Sequence, residues 1–189
     1  IGANASLVRT AALYHDIGKM EQSKYFIENS DGNNYHKDLA PEESANIIID
    51  HVIKGAQLAR KKGLPSIITR FIRTHHGTTR VEYFYQMARK QEGDVDPQEF
   101  TYPGPKPVSK EETLMMVADS LEAAAKSLKD PSLEDMEELL EKIVHHKINQ
   151  GQFEESELSF EELELIKASF LRTLKSIYHG RIKYPESQA

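Results

Sequence analysis

Apolar residues recur at three- and four-residue spacing along most of this chain, the period of a helix with one face turned inward. Leu7, Ala11 and Tyr14 set that period over residues 3–17. Residues 20–28 read as a short helix or turn, and the turn formers of 29–40 as a loop. Pro41 suits the first turn of the next helix, where its missing N–H costs little, and Glu42 and Glu43 favour the same end of the helix dipole. That helix is expected to run to about Lys62 and stop at Gly63. Ile47, Ile48, His51, Val52, Gly55 and Leu58 fall broadly on one face, which puts His51 on the buried side. A further helix starts near Pro65, passes through Ile67, Ile68, Phe71 and Ile72, and ends at His75-His76-Gly77. Residues 79–92, with Tyr83, Phe84 and Met87, predict another, and core packing is expected for at least two of Tyr83, Phe84 and Tyr85.

The second half keeps the same period. Residues 93–108 hold Pro97, Pro103, Pro105 and Pro107 and read as a long loop, a feature that in a compact domain is often functional. Ser109 and Glu112 predict a capping box opening a helix with Leu114, Val117, Ala118 and Leu121. Asp119 sits within that apolar stretch, and a buried acid there needs a partner. Asp130 and Pro131 are expected as N-cap and first residue of a helix ending near Gly151. Ser159 and Glu162 predict a second capping box, for a helix to about Tyr178 closed by Gly180, with an extended or frayed tail from Arg181 to Ala189. No strand period and no internal repeat is present, so the predicted fold class is all-α.

Composition narrows the function classes. The chain has 189 residues, 39% hydrophobic and 29% charged, which suits one globular domain. It has no cysteine, which removes thiolate nucleophiles and cysteine zinc sites. The apolar runs fall far short of the ~20 residues of a membrane helix. The chain opens on Ile1-Gly2 without an initiator methionine, so it reads as an excised piece of a longer protein with room for membrane spans elsewhere. The net charge is −6 with the acidity concentrated after Asp130, which argues against duplex nucleic acid. It leaves room for a local basic pocket near Lys19, Arg73 and Arg80 and a small anionic ligand.

Against this background the histidines and two aspartates stand out. His15 and Asp16 are adjacent at a helix end, and His51, His75, His76 and Asp119 follow on other helices. Imidazole and carboxylate together suit Fe, Mn or Zn better than Mg, and helical domains build internal metal sites from facing helices in this way. These six side chains exceed one tetrahedral zinc site and fit two octahedral ions sharing one carboxylate. Two ions ~3.5–4 Å apart can activate a water and clamp both oxygens of an in-line phosphoryl displacement. The bland reading makes each histidine an interior or surface side chain, and Asp119 a solvent-facing helix position. It is weakest for His75-His76, adjacent histidines before a helix-ending glycine. His36 is a candidate pocket wall, His145-His146 are expected in solvent, and His179 is a favourable charge at a helix C-terminus.

His15-Asp16-Ile17-Gly18-Lys19 resembles the H-D-x-G-K signature of the HD phosphohydrolase superfamily. His51-Val52-x-x-Gly55-x-x-Leu58, His75-His76-Gly77-Thr78 and Val117 to Ala123 are similar to segments of the HD-GYP branch and its relatives. Tyr25 to Asn29 and Tyr83-Phe84-Tyr85 resemble the cytoplasmic HD domain of the seven-transmembrane HD (PgpH-like) family. The resemblance is close over residues 1–128 and looser over 129–189. It implies an N-terminally truncated HD core over 1–128 and a C-terminal helical extension over 129–189, two helices packed on the same domain. It implies hydrolysis of cyclic di-AMP to linear pApA, at two iron or manganese ions, by a bridging hydroxide. Asp16 would bridge the ions, His15 and Asp119 would hold the first, and His51, His75 and His76 the second. Lys19 would stabilise charge on the substrate phosphate, with Arg80 and His36 as further substrate contacts. The parent protein would be anchored at the cytoplasmic side of a bacterial membrane. One departure matters: the family carries another histidine ligand upstream of the H-D pair, and no histidine precedes His15 here. The first ion is therefore expected to be one ligand short in this chain, truncation being the simplest explanation.

Two other functions compete. One is an HD hydrolase of another nucleotide: cyclic di-GMP, a deoxynucleotide or an alarmone. The Gly-Tyr-Pro segment that marks cyclic di-GMP enzymes after their His-His is not in place here; the chain has His-His-Gly-Thr and, further on, Tyr102-Pro103-Gly104. The other is a non-catalytic nucleotide sensor signalling through the last two helices. Turnover that requires metal and Asp16 separates the enzymes from the sensor.

Overall fold

The computed structural model describes residues 1–29 and 32–179. Its described residues form seven α-helices and no strand: α1 (Ala5–Tyr14), α2 (Pro41–Lys61), α3 (Ser66–Thr74), α4 (Glu82–Glu92), α5 (Lys110–Ala125), α6 (Leu133–Asn149) and α7 (Phe160–His179). Short 3-10 segments cover Ile17–Tyr25, Ile27–Asn29 and Pro97–Phe100. No helix of the described residues is long and apolar enough to cross a membrane.

α1 begins where the Asn4 side chain accepts the Leu7 N–H at 3.0 Å and ends one residue before His15, whose N–H still reaches the Ala11 carbonyl. The chain can turn there only because Gly18 has no side chain. A Cβ on Gly18 would lie 1.8 Å from the His51 carbonyl oxygen and 2.6 Å from the Gly55 nitrogen, both backbone atoms of α2. The glycine of the H-D-x-G-K motif is thus the point where the two ligand-bearing segments touch. Gly18→Ala is expected to destabilise the fold by about 3 kcal/mol, the upper range for overpacking, as read by urea denaturation. Unchanged stability would mean that α2 moves freely at this contact.

α2 buries Ala45, Ile49, Val52, Ala56 and Ala59 along one stripe, with His51 and Gly55 on the same side. α1, α3 and α5 meet through Ala11, Ile68, Phe71 and Met115. α4 seats Phe84, Tyr85 and Ala88 on Ala45 and Phe100, and Tyr83 is left 70% exposed. α6 and α7 close over the far side of α5: Val117, Leu121 and Ala125 pack with Met136, Leu140, Val144, Leu163 and Leu174. The last two helices therefore share a core with a ligand-bearing helix.

Two helix starts and one cap differ from the sequence reading, and α1 spans Ala5–Tyr14 rather than 3–17. α4 starts at Glu82 rather than 79, because residues just before it pair with the loop: the Val81 N–H donates to the Phe100 carbonyl at 2.8 Å and the Tyr102 N–H to the Thr79 carbonyl at 2.9 Å. α6 is capped by Ser132 rather than Asp130. Ser132 Oγ accepts the Asp135 N–H at 3.1 Å and the Asp135 carboxylate accepts the Ser132 N–H at 2.8 Å, while Asp130 takes a left-handed φ of 46°. At α5 only half a box forms: Ser109 accepts the Glu112 N–H at 3.2 Å, and the Glu112 carboxylate bonds the Val108 N–H and the Arg70 guanidinium instead. The Ser159–Glu162 box is complete, with both bonds at 3.1 Å. The expected closure at Gly180, the tail from Arg181, and residues 30 and 31 of the predicted loop lie outside the described residues.

Candidate metal centre

The ends of α1 and α3, the middle of α2 and the middle of α5 converge, and they carry the six predicted ligands. Those six fall into two groups whose ligand-capable atoms lie within 4.8 Å of one another: His51, His75 and His76 in one, His15, Asp16 and Asp119 in the other. Asp16 divides its oxygens between the groups. Its Oδ2 is 3.2 Å from His15 Nε2, and its Oδ1 is 3.4 Å from His51 Nε2 and 3.7 Å from His75 Nε2. Asp119 lies on the far side, with Oδ1 3.5 Å from His15 Nε2 and Oδ2 3.7 Å from His76 Nδ1. Helix geometry produces this arrangement: His75 and His76 follow the last turn of α3, so consecutive residues can both point inward there.

Three of the histidines are oriented by their own helices. Nδ1–H of His15 donates to the Ala12 carbonyl at 2.9 Å, that of His51 to Ile48 at 2.5 Å and that of His75 to Ile72 at 2.8 Å, each three residues back. A carbonyl partner fixes the Nδ1–H tautomer and leaves Nε2 for a ligand role, the usual support of a metal-bound histidine. Nε2 of His51 and His75 then face each other 3.2 Å apart. Two lone pairs at that distance repel unless a cation or a proton sits between them. Burial disfavours the proton: it pushes His75 down to about 4 and also lowers His51 and His76. Asp16 Oδ1, on the same side, is buried and accepts no hydrogen bond. Bare imidazole nitrogens beside an orphaned carboxylate oxygen are the donor set a divalent transition metal takes, so the residues fit such an ion.

The other group behaves differently. Burial opposes a charge on His15, and the Asp119 and Asp16 carboxylates outweigh it, raising this imidazole to about 10. Burial likewise opposes the charge of Asp16, yet His15 and Lys19 hold its carboxyl far below the ordinary range. Asp119 is lowered too: its burial is outweighed mainly by the His15 hydrogen bond.

Lys19, Arg73 and Arg80 do not come together in one basic pocket. Lys19 Nζ bonds Asp16 Oδ2 at 2.7 Å and also pairs with Glu28, at the edge of a groove of ≈ 810 Å³ that reaches His15 and Asp119. Arg73 lines a separate cavity with Arg60 and Arg70. Arg80 pairs with Glu82 at 2.7 Å and stacks on the Tyr85 ring at 3.8 Å. His36 donates from Nε2 to the Tyr25 carbonyl at 2.9 Å. His145 and His146 are exposed.

Sequence reasoning passed over three residues of this centre. Tyr102, from the proline-rich loop, stacks on His76 with ring centroids 4.3 Å apart. Gln152 bonds the turn after His76. Lys147 is only 7% exposed, and burial pushes it down to about 8, with Asp119 offsetting part of that effect. Its signal was present: Met136, Leu140, Val144 and Lys147 share one helical face, and a lysine continuing a buried stripe marks an internal charge.

A helical bundle with histidine and carboxylate groups around one shared aspartate is compatible with divalent metal binding, and the chain belongs to the HD domain family, which matches residues 1–124. It is 43% identical over 188 residues to the cyclic-di-AMP phosphodiesterase PgpH of Bacillus subtilis and 39% identical over 189 residues to that of Listeria monocytogenes. Those matches cover 99% and 100% of this chain and 26% of each relative, so the chain spans about a quarter of their length. The HD domain of L. monocytogenes phosphodiesterase PgpH, in complex with cyclic-di-AMP, superposes with a TM-score of 0.92 at 38% identity, over 97% of this chain and 85% of that one.

Proposed function

We propose that this chain is a metal-dependent phosphodiesterase domain that hydrolyses cyclic di-AMP to linear pApA. The observation that carries the reading is Asp16, whose two oxygens face two separate ligand groups. Its preference for adenine rests on the relatives named for cyclic di-AMP and on the similar domain in complex with it. The mixed imidazole and carboxylate donors would hold two divalent ions, iron or manganese, which when bound would supply an activated water and neutralise charge on the phosphate.

This chain's own residues do the rest. His51, His75 and His76 would hold one ion and His15 and Asp119 the other, with Asp16 facing both groups. No side-chain nucleophile is needed. Lys19 borders the groove with its ammonium beside Asp16, placed to meet a phosphate oxygen where negative charge grows. The ≈ 810 Å³ groove is within the size range of small-ligand sites. Arg80 and His36 do not line that groove and rank behind Lys19 as substrate contacts. Residues 1–128 form the catalytic core and 129–189 an extension of the same domain. The longer parent is anchored in a bacterial membrane with this domain on the cytoplasmic side.

The test is metal content by elemental analysis together with chromatographic turnover of cyclic di-AMP and cyclic di-GMP, with Mn(II) or Fe(II) supplied. Metal-dependent release of pApA, with cyclic di-GMP the poorer substrate, is expected. Lys19→Met is expected to lower kcat by about 10²-fold, the scale of one electrostatic contact, with metal content unchanged. Cyclic di-AMP binding without turnover at full metal loading would replace this reading by the sensor.

A further inference from the structure

His76 differs from the other histidines of the centre. Three of them are oriented by a carbonyl of their own helix, whereas His76 lies beyond the last turn of α3, and its Nδ1 faces Asp119 Oδ2 at 3.7 Å. Its ring direction is therefore set by the turn that carries it together with the Tyr102 ring stacked on it. That turn is short: the Gly77 N–H donates to the Thr74 carbonyl at 2.9 Å, and the Thr79 N–H and hydroxyl both donate to the His76 carbonyl, at 3.1 and 2.8 Å.

The turn is gripped from outside the family-matched region. Gln152, just after α6, is 1% exposed. Its Oε1 accepts the Thr78 N–H at 3.0 Å, and its Nε2 donates to Thr78 Oγ1 at 3.0 Å and to the Gln150 carbonyl at 3.1 Å. Its own N–H donates to the Lys147 carbonyl at 3.0 Å, tying it to the end of α6. Gly77, with φ +54°, makes room: a Cβ there would lie 2.3 Å from Gln152 Oε1 and 2.8 Å from Met116 Cε. The glycine after the histidine pair thus ends a helix and also admits the glutamine amide.

We propose that Gln152 is a positioning residue of the metal centre, holding the Gly77–Thr78 turn so that His76 completes the seat it shares with His51 and His75. The proposal rests on reading those three histidines as an ion seat. It makes α6 part of the centre rather than an appendage, since its end supplies the anchor of the glutamine. Supporting partners one step removed from a metal ligand typically set about 10–100-fold in metal affinity, and that is the effect assigned to Gln152.

The test uses the 189-residue chain stripped of metal, Mn(II) as the probe, and electron paramagnetic resonance of free Mn(II) to give stoichiometry and affinity of each site. Gln152→Ala is expected to weaken one of two sites by about 10–100-fold while the other holds, with the helical circular dichroism of a folded chain and a thermal midpoint lowered by the cavity and the unpaired Thr78 N–H. Turnover of cyclic di-AMP should then need more Mn(II), with kcat recovered at saturation. Gln152→Glu keeps an acceptor for the Thr78 N–H but sets a buried carboxylate oxygen against the Gln150 carbonyl, and is expected to recover only part of the lost affinity. A folded Gln152→Ala protein with both affinities unchanged, or with both weakened equally, overturns the proposal. If that variant does not fold, Gln152→Asn, one methylene short of Thr78, is judged by the same outcomes. A parent chain that binds no Mn(II) overturns the metal reading and this proposal together; a parent with two sites and an unaffected variant overturns this proposal alone.

Discussion

Asp16→Ala is expected to remove cyclic di-AMP turnover by about three orders of magnitude or more, and to take both ions from the protein rather than one. The magnitude follows from sharing. Losing a single electrostatic contributor to a phosphoryl or acyl transition state costs about 10²–10³-fold, and Asp16 faces both seats at once. Without it the histidine group keeps three neutral imidazoles and no anionic donor, and the other group keeps His15 and Asp119 alone. Asp119→Ala is the informative comparison, because Asp119 faces His15 and His76 but not the His51–His75 gap. It should empty one seat and leave the other filled. Elemental analysis of the two variants separates the cases. Equal metal loss in both would mean that the seats are not independent, and full metal content in Asp16→Ala would sink the bridging role altogether.

How much of this was legible in the sequence depends on distance along the chain. His15-Asp16 and His75-His76 are neighbours within one turn, and their spacing alone places them at helix ends, where both side chains can face inward. His51 was legible because an amphipathic helix has only one buried face and Val52 and Gly55 share it. Asp119 was legible as an acid inside an apolar stretch. The split of these residues into two groups around Asp16 came from family resemblance, and the geometry places the six atoms in the same two groups. What escaped were contacts between segments remote in sequence. Gln152 and Thr78 are 74 residues apart, and no local pattern marks a glutamine as the partner of a distant turn. Tyr102 reaches His76 from a loop whose proline content predicts irregularity but not direction. Arg80, expected as a substrate contact, illustrates the converse: a basic residue near a site in sequence is drawn to Glu82, two residues on, and to the Tyr85 ring. The cap of α6 was misplaced for a local reason. Asp130-Pro131 read as the helix start, but the Ser132–Asp135 pair satisfies two backbone N–H groups reciprocally and prevails over an N-cap that satisfies at most one.

The two seats are expected to differ sharply in their response to pH. In the metal-free protein the carboxylates of Asp119 and Asp16 hold a proton on His15 up to about 10, so across the neutral range Nε2 is occupied by hydrogen. An ion entering that seat must displace the proton, and its affinity rises about tenfold for each pH unit, or about a hundredfold from ~pH 6 to ~pH 8. In the histidine seat, burial lowers His75 to about 4 and brings His51 and His76 below their ordinary value as well. Those imidazoles are already neutral over the same range, so that seat should fill with little pH dependence. Calorimetric titration with Mn(II) in two buffers of different ionisation heat reads both quantities, the affinities and the protons released. One proton released at one site and close to none at the other is the expected result, with turnover, proposed above to need both ions, following the steeper site. Release of the same number of protons at both sites would show that the Asp16–His15–Asp119 cluster does not hold the proton that its geometry assigns to it.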